Sequence, residues 1–144
     1  MKTIYTAGKM SGVTYENAMS WRRMVEELIK SSTDKSIRFI HPPIYYNYEH
    51  QNHKTEKEVK DWELNAIRHS DIIIVNLDNI NDSVGSHYEL ATADLASAYT
   101  GDKKFIIGVG GLAELIHPWI LESIHRREDD FKSAAEYIVN YLLD

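Results

Sequence analysis

The decapeptide NDSVGSHYEL, residues 81–90, comes just after the apolar run DIIIVNL at 71–77. Leaving a buried strand through Asn, Asp, Ser and Gly and then starting a helix sets hydroxyls, free amides and a carboxylate side by side. Glu89 falls in the first turns of that helix, where unpaired N–H groups and the dipole favour an ionised side chain. Beside a nucleotide sugar such a carboxylate can attack the anomeric carbon, while Ser83 and the N–H groups of residues 84–86 can take a phosphate. The plainer reading is a Glu that only complements the dipole. Cleaving an N-glycosidic bond also needs an acid for the departing base, besides the carboxylate that meets the developing oxocarbenium charge. Asp61 and Glu63 are the candidates. They stand two apart on one predicted helix, so only one can face a shared site, and spacing alone leaves open which. Tyr5, near the end of the first predicted strand, either fills the core or brings its hydroxyl to the edge to orient Glu89.

These residues need a frame. Residues 2–6 read as a strand that ends in AGKMSG at 7–12. There Gly8 and Gly12 flank Lys9 and Ser11, which suggests a tight turn where main chain comes close to a ligand. From Thr14, a plausible cap, the period becomes helical, with Ala18, Trp21, Met24, Val25, Leu28 and Ile29 on one stripe. Residues 36–41, with IRFI at their centre, read as a short strand stopped by Pro42 and Pro43. The segment 41–58 reads as a polar, aromatic loop whose Tyr45, Tyr46 and Tyr48 either stack on a base or fill a helix interface. A helix follows at 56–68, with Val59, Trp62, Ala66 and Ile67 on one side.

Residues 71–77 form a continuous apolar strand, the mark of burial on both faces, and Asp71 at its start reads as a partner for main-chain amides. A helix over 87–99, a strand over 103–109 ended by Gly110 and Gly111, and a mostly helical remainder complete the chain, with a faint fifth strand near 130–132. Strands alternating with helices predict an α/β fold: a four- to five-stranded, mostly parallel sheet with helices on both faces. Ligands in such folds bind beyond the carboxyl ends of the strands. The turns at 8–12, 77–85 and 108–111 all leave strands at that end.

Bulk properties narrow the function. The 144 residues, 43% hydrophobic and 26% charged, suit one domain over 1–144. A formal charge of -6 argues against a nucleic-acid polymer as partner but not against a small nucleotide. The absence of cysteine excludes disulfides, thiolate metal sites and a thiol nucleophile. The seven histidines show no His-Glu-x-x-His pattern or compact ligand spacing, so no metal is expected. GKMSG is neither a Walker loop nor Gly-x-Gly-x-x-Gly, so no ATP or dinucleotide cofactor is expected either. The N-terminus lacks the pattern of a signal peptide, and no run approaches membrane-spanning length. A cytoplasmic location is the default expectation.

With those residues in place, the chain resembles the nucleoside 2-deoxyribosyltransferase superfamily, including its branch of 2'-deoxynucleoside 5'-monophosphate N-glycosidases. The likeness covers most of the chain and is densest in IYTAGKMSG, in WELNAIRHSDIIIVNL, in DSVGSHYELATA and in KKFIIGV. It implies a Rossmann-like or flavodoxin-like three-layer sandwich, Tyr5 as the family's first-strand Tyr, and Glu89, in a Gly-x-x-x-Glu-Leu context, as nucleophile. The family's acid is an Asp eight residues before the strand-opening Asp; counting back from Asp71 reaches Glu63, with Asp61 out of register. That Asp-to-Glu change moves the charge outward by about a methylene, and catalysis is sensitive to misplacements near ~1 Å. Either the site compensates or Asp61 takes over.

Six residues before the nucleophile, transferases of the family carry Asp and monophosphate hydrolases carry Ser, which matches Ser83. Gly85 and Ser86 complete that turn's donors, and Gly8, Lys9, Ser11 and Gly12 supply the other. The hydrolases carry Ser and Arg at the positions of Lys9 and Ser11, so the positive charge has moved along the loop. The expected activity is hydrolysis of a (2'-deoxy)nucleoside 5'-monophosphate through a glycosyl-enzyme, without cofactor. The alternatives are deoxyribosyl transfer between bases and a catalytically silent nucleotide-binding module. The family also assembles at least as dimers, which implies a homodimer or higher homo-oligomer with sites near the interface.

Overall fold

The structure, a computed structural model, describes residues 1–46, 48 and 52–144. Part of the 41–58 segment, including His50, therefore lies outside the described residues. Strands β1 (Lys2–Ala7), β2 (Ile37–Ile40), β3 (Ile72–Asn76), β4 (Phe105–Val109) and β5 (Arg126–Glu128) form one sheet. Their order is β2-β1-β3-β4-β5, and every pairing is parallel. The helices are α1 (Tyr15–Lys30), α2 (Pro42–Tyr45), α3 (Glu56–Arg68), α4 (Val84–Tyr99), α5 (Pro118–Glu122) and α6 (Phe131–Tyr141).

Strand period two sorts β3 between two cores. Ile73 and Val75 join Tyr5, Ala7 and Ile106 against α3, α4 and α5, while Ile72 and Ile74 join Ile4, Ile107 and Val109 against α1 and α6. Most of the apolar stripe of α1 is thereby consumed: Ala18, Val25 and Ile29 are buried, and Trp21 and Leu28 pack against the same core. Met19 is buried beside them, while Met24, expected on the stripe, is exposed. This is the doubly wound α/β sandwich expected from the sequence. Its strand order reverses between β1 and β3, and the crevice beyond their carboxyl ends is where such sheets hold ligands.

Local differences have local causes. The fifth strand is Arg126–Glu128, not 130–132, because the Asp130 side chain caps α6 by accepting from the Ser133 N–H at 2.7 Å. Its charged residues suit an edge strand that has a neighbour on one side only. Helix α4 starts at Val84, three residues before the expected 87, so Gly85 and Ser86 are helical and not turn residues. Pro42 and Pro43, expected only to stop β2, open the one-turn α2, where a fixed φ and a missing donor cost nothing.

Two anchors hold α3 against the sheet. At its start Thr55 and Glu58 form a reciprocal capping box, the Thr55 hydroxyl accepting from the Glu58 N–H and the Glu58 carboxylate from the Thr55 N–H. Just beyond its end, buried Lys104 donates to the carbonyls of Arg68 and Ser70 and to Asp102. Asp71 accepts from the Thr3 N–H at 2.8 Å, the structural role expected of it. Replacing Lys104 by Met keeps the stem and deletes the donors, leaving two carbonyls short of a partner. Lys104→Met is expected to lower stability in urea unfolding by about 1–3 kcal/mol.

Candidate active site

A cavity of about 530 Å³ opens where β1 and β3 end, within the usual size for a small-molecule site. The turn after β1 contributes Gly8, Met10 and Ser11; α3 contributes Glu56, Lys57, Val59, Lys60, Glu63 and Leu64; Asp82 to Ser86, Tyr88 and Glu89 close the other side. The α3 set recurs at three and four, one face of a helix. Two of the three glycine-rich or polar turns thus meet here. The third, after β4, is committed elsewhere. Asp78 accepts from the Gly111 N–H, and Arg127 donates to the carbonyls of Gly110 and Gly111.

The two candidate acids part company. Glu63 is 9% exposed and lines the cavity, while Asp61, on the outer face of α3, pairs with Lys57 at 2.6 Å. Glu89 is 3% exposed and lines the cavity from the second turn of α4. Tyr5 is fully buried just behind. Among the described residues the Tyr5 hydroxyl and Oε2 of Glu89 are sealed from water and close no hydrogen bond of regular geometry. The phenol still lies near enough to pull the Glu89 pKa down.

Burial dominates the electrostatics. It pushes Glu89 up to about 8, with Glu63 adding to the rise and Tyr5 and Arg22 opposing it. Burial likewise pushes Glu63 up to about 7 against the pull of Arg22. The Tyr5 phenol is held well above its usual range by burial and by the charges of Glu89 and Glu63. Two buried carboxyls that disfavour each other's ionisation share a proton near neutrality, giving one carboxylate and one acid in the same cavity.

Ser83 holds the N-cap position of α4 without capping it; its hydroxyl pairs with that of Ser86 at 2.7 Å. Among the described residues the N–H groups of Val84, Gly85 and Ser86 therefore find no protein acceptor, and the first intrahelical bond runs from His87 to the Ser83 carbonyl. Lys9 and Gly12 are not part of the cavity wall. Gly12 has φ 74° and closes the turn into α1, a backbone role. The lysines that do line the cavity, Lys57 and Lys60, come from α3. Of the three tyrosines, Tyr46 lines the cavity, Tyr45 packs on Trp62, and Tyr48 donates to the Met10 carbonyl at 3.1 Å.

Sequence reasoning missed Arg22. Its guanidinium is fully buried and lies 4.4 Å from the Trp21 ring centroid. The signal was present: Arg22 follows Ala18 by four and precedes Val25 and Ile29 by three and seven, a charged residue on the buried stripe of α1.

No protein family model matches this sequence, and no curated protein does. Solved structures do match. The 2-deoxyribosyltransferase of Bacillus psychrosaccharolyticus has a TM-score of 0.68 at 20% identity, covering 94% of this chain and 91% of that one. The Clostridium botulinum CMP N-glycosidase BcmB has a TM-score of 0.58 at 16% identity, over 98% of this chain and 100% of that one. The Leishmania mexicana 2-deoxyribosyltransferase has a TM-score of 0.58 at 19% identity, over 99% and 100%. The fold is thus that of the 2-deoxyribosyltransferases and their N-glycosidase relatives.

The raised carboxyl at 89 carries a stability cost with a definite sign. Between 4.5, its ordinary value, and about 8 the folded chain binds more protons than the unfolded one, so stability falls as pH rises. Glu89→Gln removes that dependence. The variant should match the parent at about pH 5 and exceed it by ~1–3 kcal/mol at about pH 9 in denaturant titrations.

Proposed function

We propose that this chain is an N-glycosidase of (2'-deoxy)nucleoside 5'-monophosphates that works through a covalent glycosyl-enzyme. The observation that carries this reading is the pair Glu63 and Glu89, both buried in one cavity, both raised in pKa, with the Tyr5 hydroxyl behind. Of the two ways the pair can hold one proton, the reactive one has it on Glu63, although Glu63 is the less raised of the two. Ionised Glu89 then attacks C1' as Glu63 gives the proton to the departing base. The carboxylate left on Glu63 then takes a proton from water, which attacks C1', expels Glu89 and releases the sugar phosphate. Tyr5 orients Glu89. Ser11, Ser83, Ser86 and the free N–H groups of residues 84–86 hold the phosphate.

Two observations favour a second reading, transfer of deoxyribose between bases. Asp82 lines the cavity beside Ser83, where a carboxylate opposes a phosphate, and the higher of the TM-scores belongs to a transferase. The readings differ in what resolves the glycosyl-enzyme.

A second copy of this chain is the proposed partner. Helix α4 exposes Val84, Tyr88, Leu95 and Tyr99, spaced four, seven and four apart, a stripe along one side of the helix. Val84 and Tyr88 also line the cavity, so a dimer built on this stripe has its sites at the interface. Among the described residues no helix is long and apolar enough to cross a membrane.

A panel of ribo- and deoxyribonucleoside monophosphates, with their nucleosides as controls, should show release of free base from monophosphates and none from nucleosides. Turnover of nucleosides in place of monophosphates overturns the phosphate assignment. Excess of a second free base should leave base and sugar phosphate as products; a new nucleotide marks a transferase. Glu89→Gln should lower kcat by ~10³-fold or more, Glu63→Gln by ~10²–10⁴-fold, and Asp61→Asn should leave it unchanged. Sedimentation of Leu95→Glu should give monomers where the parent gives dimers.

A further inference from the structure

Arg22 is the feature of the site with no role in the reading above. All its hydrogen bonds go to main-chain carbonyls: Thr6 at 3.4 Å, Gly8 at 3.3 Å, and Ala18 one turn back on its own helix. Among the described residues no carboxylate comes within ion-pair distance of it, although it is fully buried. A buried cation normally sits against its counter-ion. Here the counter-ions are the two carboxyls across the site, which in turn have no ion-paired cation of their own.

We propose that Arg22 is a positioning residue that fixes two properties of the site at once, the shape of the turn after β1 and the charge of the Glu63–Glu89 pair. The first follows from peptide geometry. The described chain has no cis peptide bond, so in the planar trans peptide the N–H of Lys9 runs antiparallel to the Gly8 carbonyl. Drawing that carbonyl onto Arg22 turns the Lys9 N–H away from the cation, with no acceptor among the described residues. The turn is packed from behind as well: a Cβ on Gly8 would lie 2.9 Å from the Trp21 ring and 3.5 Å from the Arg22 guanidinium.

The second property follows from counting charge. The groups that act on Arg22 are Glu89 on α4, Tyr5 on β1, Tyr48 after α2 and Glu63 on α3, with His41, after β2, also feeling its charge. The Tyr5 phenol is neutral, and burial lowers the His41 pKa, favouring its uncharged form. Glu56, Lys57 and Lys60 on α3 and Asp82 before α4 also line the cavity, but they are exposed and their charges cancel in sign. Among the buried groups one guanidinium therefore balances one carboxylate, and the neutral cluster contains one ionised and one protonated carboxyl. A direct ion pair would tie Glu89 down and blunt it as a nucleophile. A cation whose three hydrogen bonds all go to carbonyls favours ionisation through space and leaves the carboxylate oxygens unbound.

This rests on the glycosidase reading only for its effect on turnover, so the test reads protonation directly. In protein labelled with carboxyl-¹³C glutamate, Glu63→Gln and Glu89→Gln assign the two resonances. Arg22→Gln should move the titration of the pair up by about one pH unit or more, and Arg22→Lys, which keeps the charge, should largely restore it. The pH profile of kcat/KM should move with it. If Arg22→Gln does not fold, the parent still answers: the Arg22 Nε resonance should shift as the carboxyls titrate and lose that shift in Glu89→Gln. Carboxyl titrations unmoved by Arg22→Gln, or an Nε resonance flat through neutral pH, overturn the proposal. Titrations that move as expected in a protein that cleaves no nucleotide uphold it and reject the glycosidase reading instead.

Discussion

The site is organised by one electrostatic constraint: two carboxyls and a phenol are buried around one cavity with a single guanidinium to balance them. In water each carboxyl would ionise independently near its ordinary value. Packed into a low-dielectric wall they cannot both do so cheaply, and the proton they share near neutrality divides the roles between them. The same burial that leaves one carboxyl protonated beside an ionised one makes the folded state less stable than an apolar wall would. That conflict is expected where local rules are broken for function.

The fold meets the constraint by bringing each group from a different element. Tyr5 comes up β1 on the face shared with α3 and α4, Glu63 from the inner face of α3, Glu89 from the second turn of α4, and Arg22 across from α1. No pair needs to be adjacent in sequence because the reversal of strand order between β1 and β3 opens a crevice there. The phase of α3 decides which of its acids enters the cavity. The capping box at one end and Lys104 beyond the other hold that phase, putting Glu63 inside and Asp61 in solvent beside Lys57.

Much of this was legible before any coordinates. The continuous apolar runs at 71–77 and 103–109 read as doubly covered strands and are β3 and β4, and the helical periods at 14–30 and 56–68 read as α1 and α3. The failures have physical causes. Strand β5 is a charged edge strand with no alternation to reveal it, and the start of α4 is hidden because its N-cap Ser83 spends its hydroxyl on Ser86. Lys9 was singled out on charge, but whether a side chain enters a cavity depends on turn geometry that charge does not encode. Arg22 was passed over because arginine on a helix is usually solvated. Only its place on the buried stripe marks it, and only tertiary packing turns that mark into a buried cation.

The measurement closest to the central claim is direct observation of the covalent intermediate. A deoxynucleoside monophosphate would be mixed with the protein, quenched in acid within the first turnovers, and the digested protein weighed peptide by peptide. The account predicts the added mass of a deoxyribose phosphate on the peptide holding Glu89, absent from Glu89→Gln. Base release that proceeds while that peptide stays unmodified and another residue carries the sugar would contradict it.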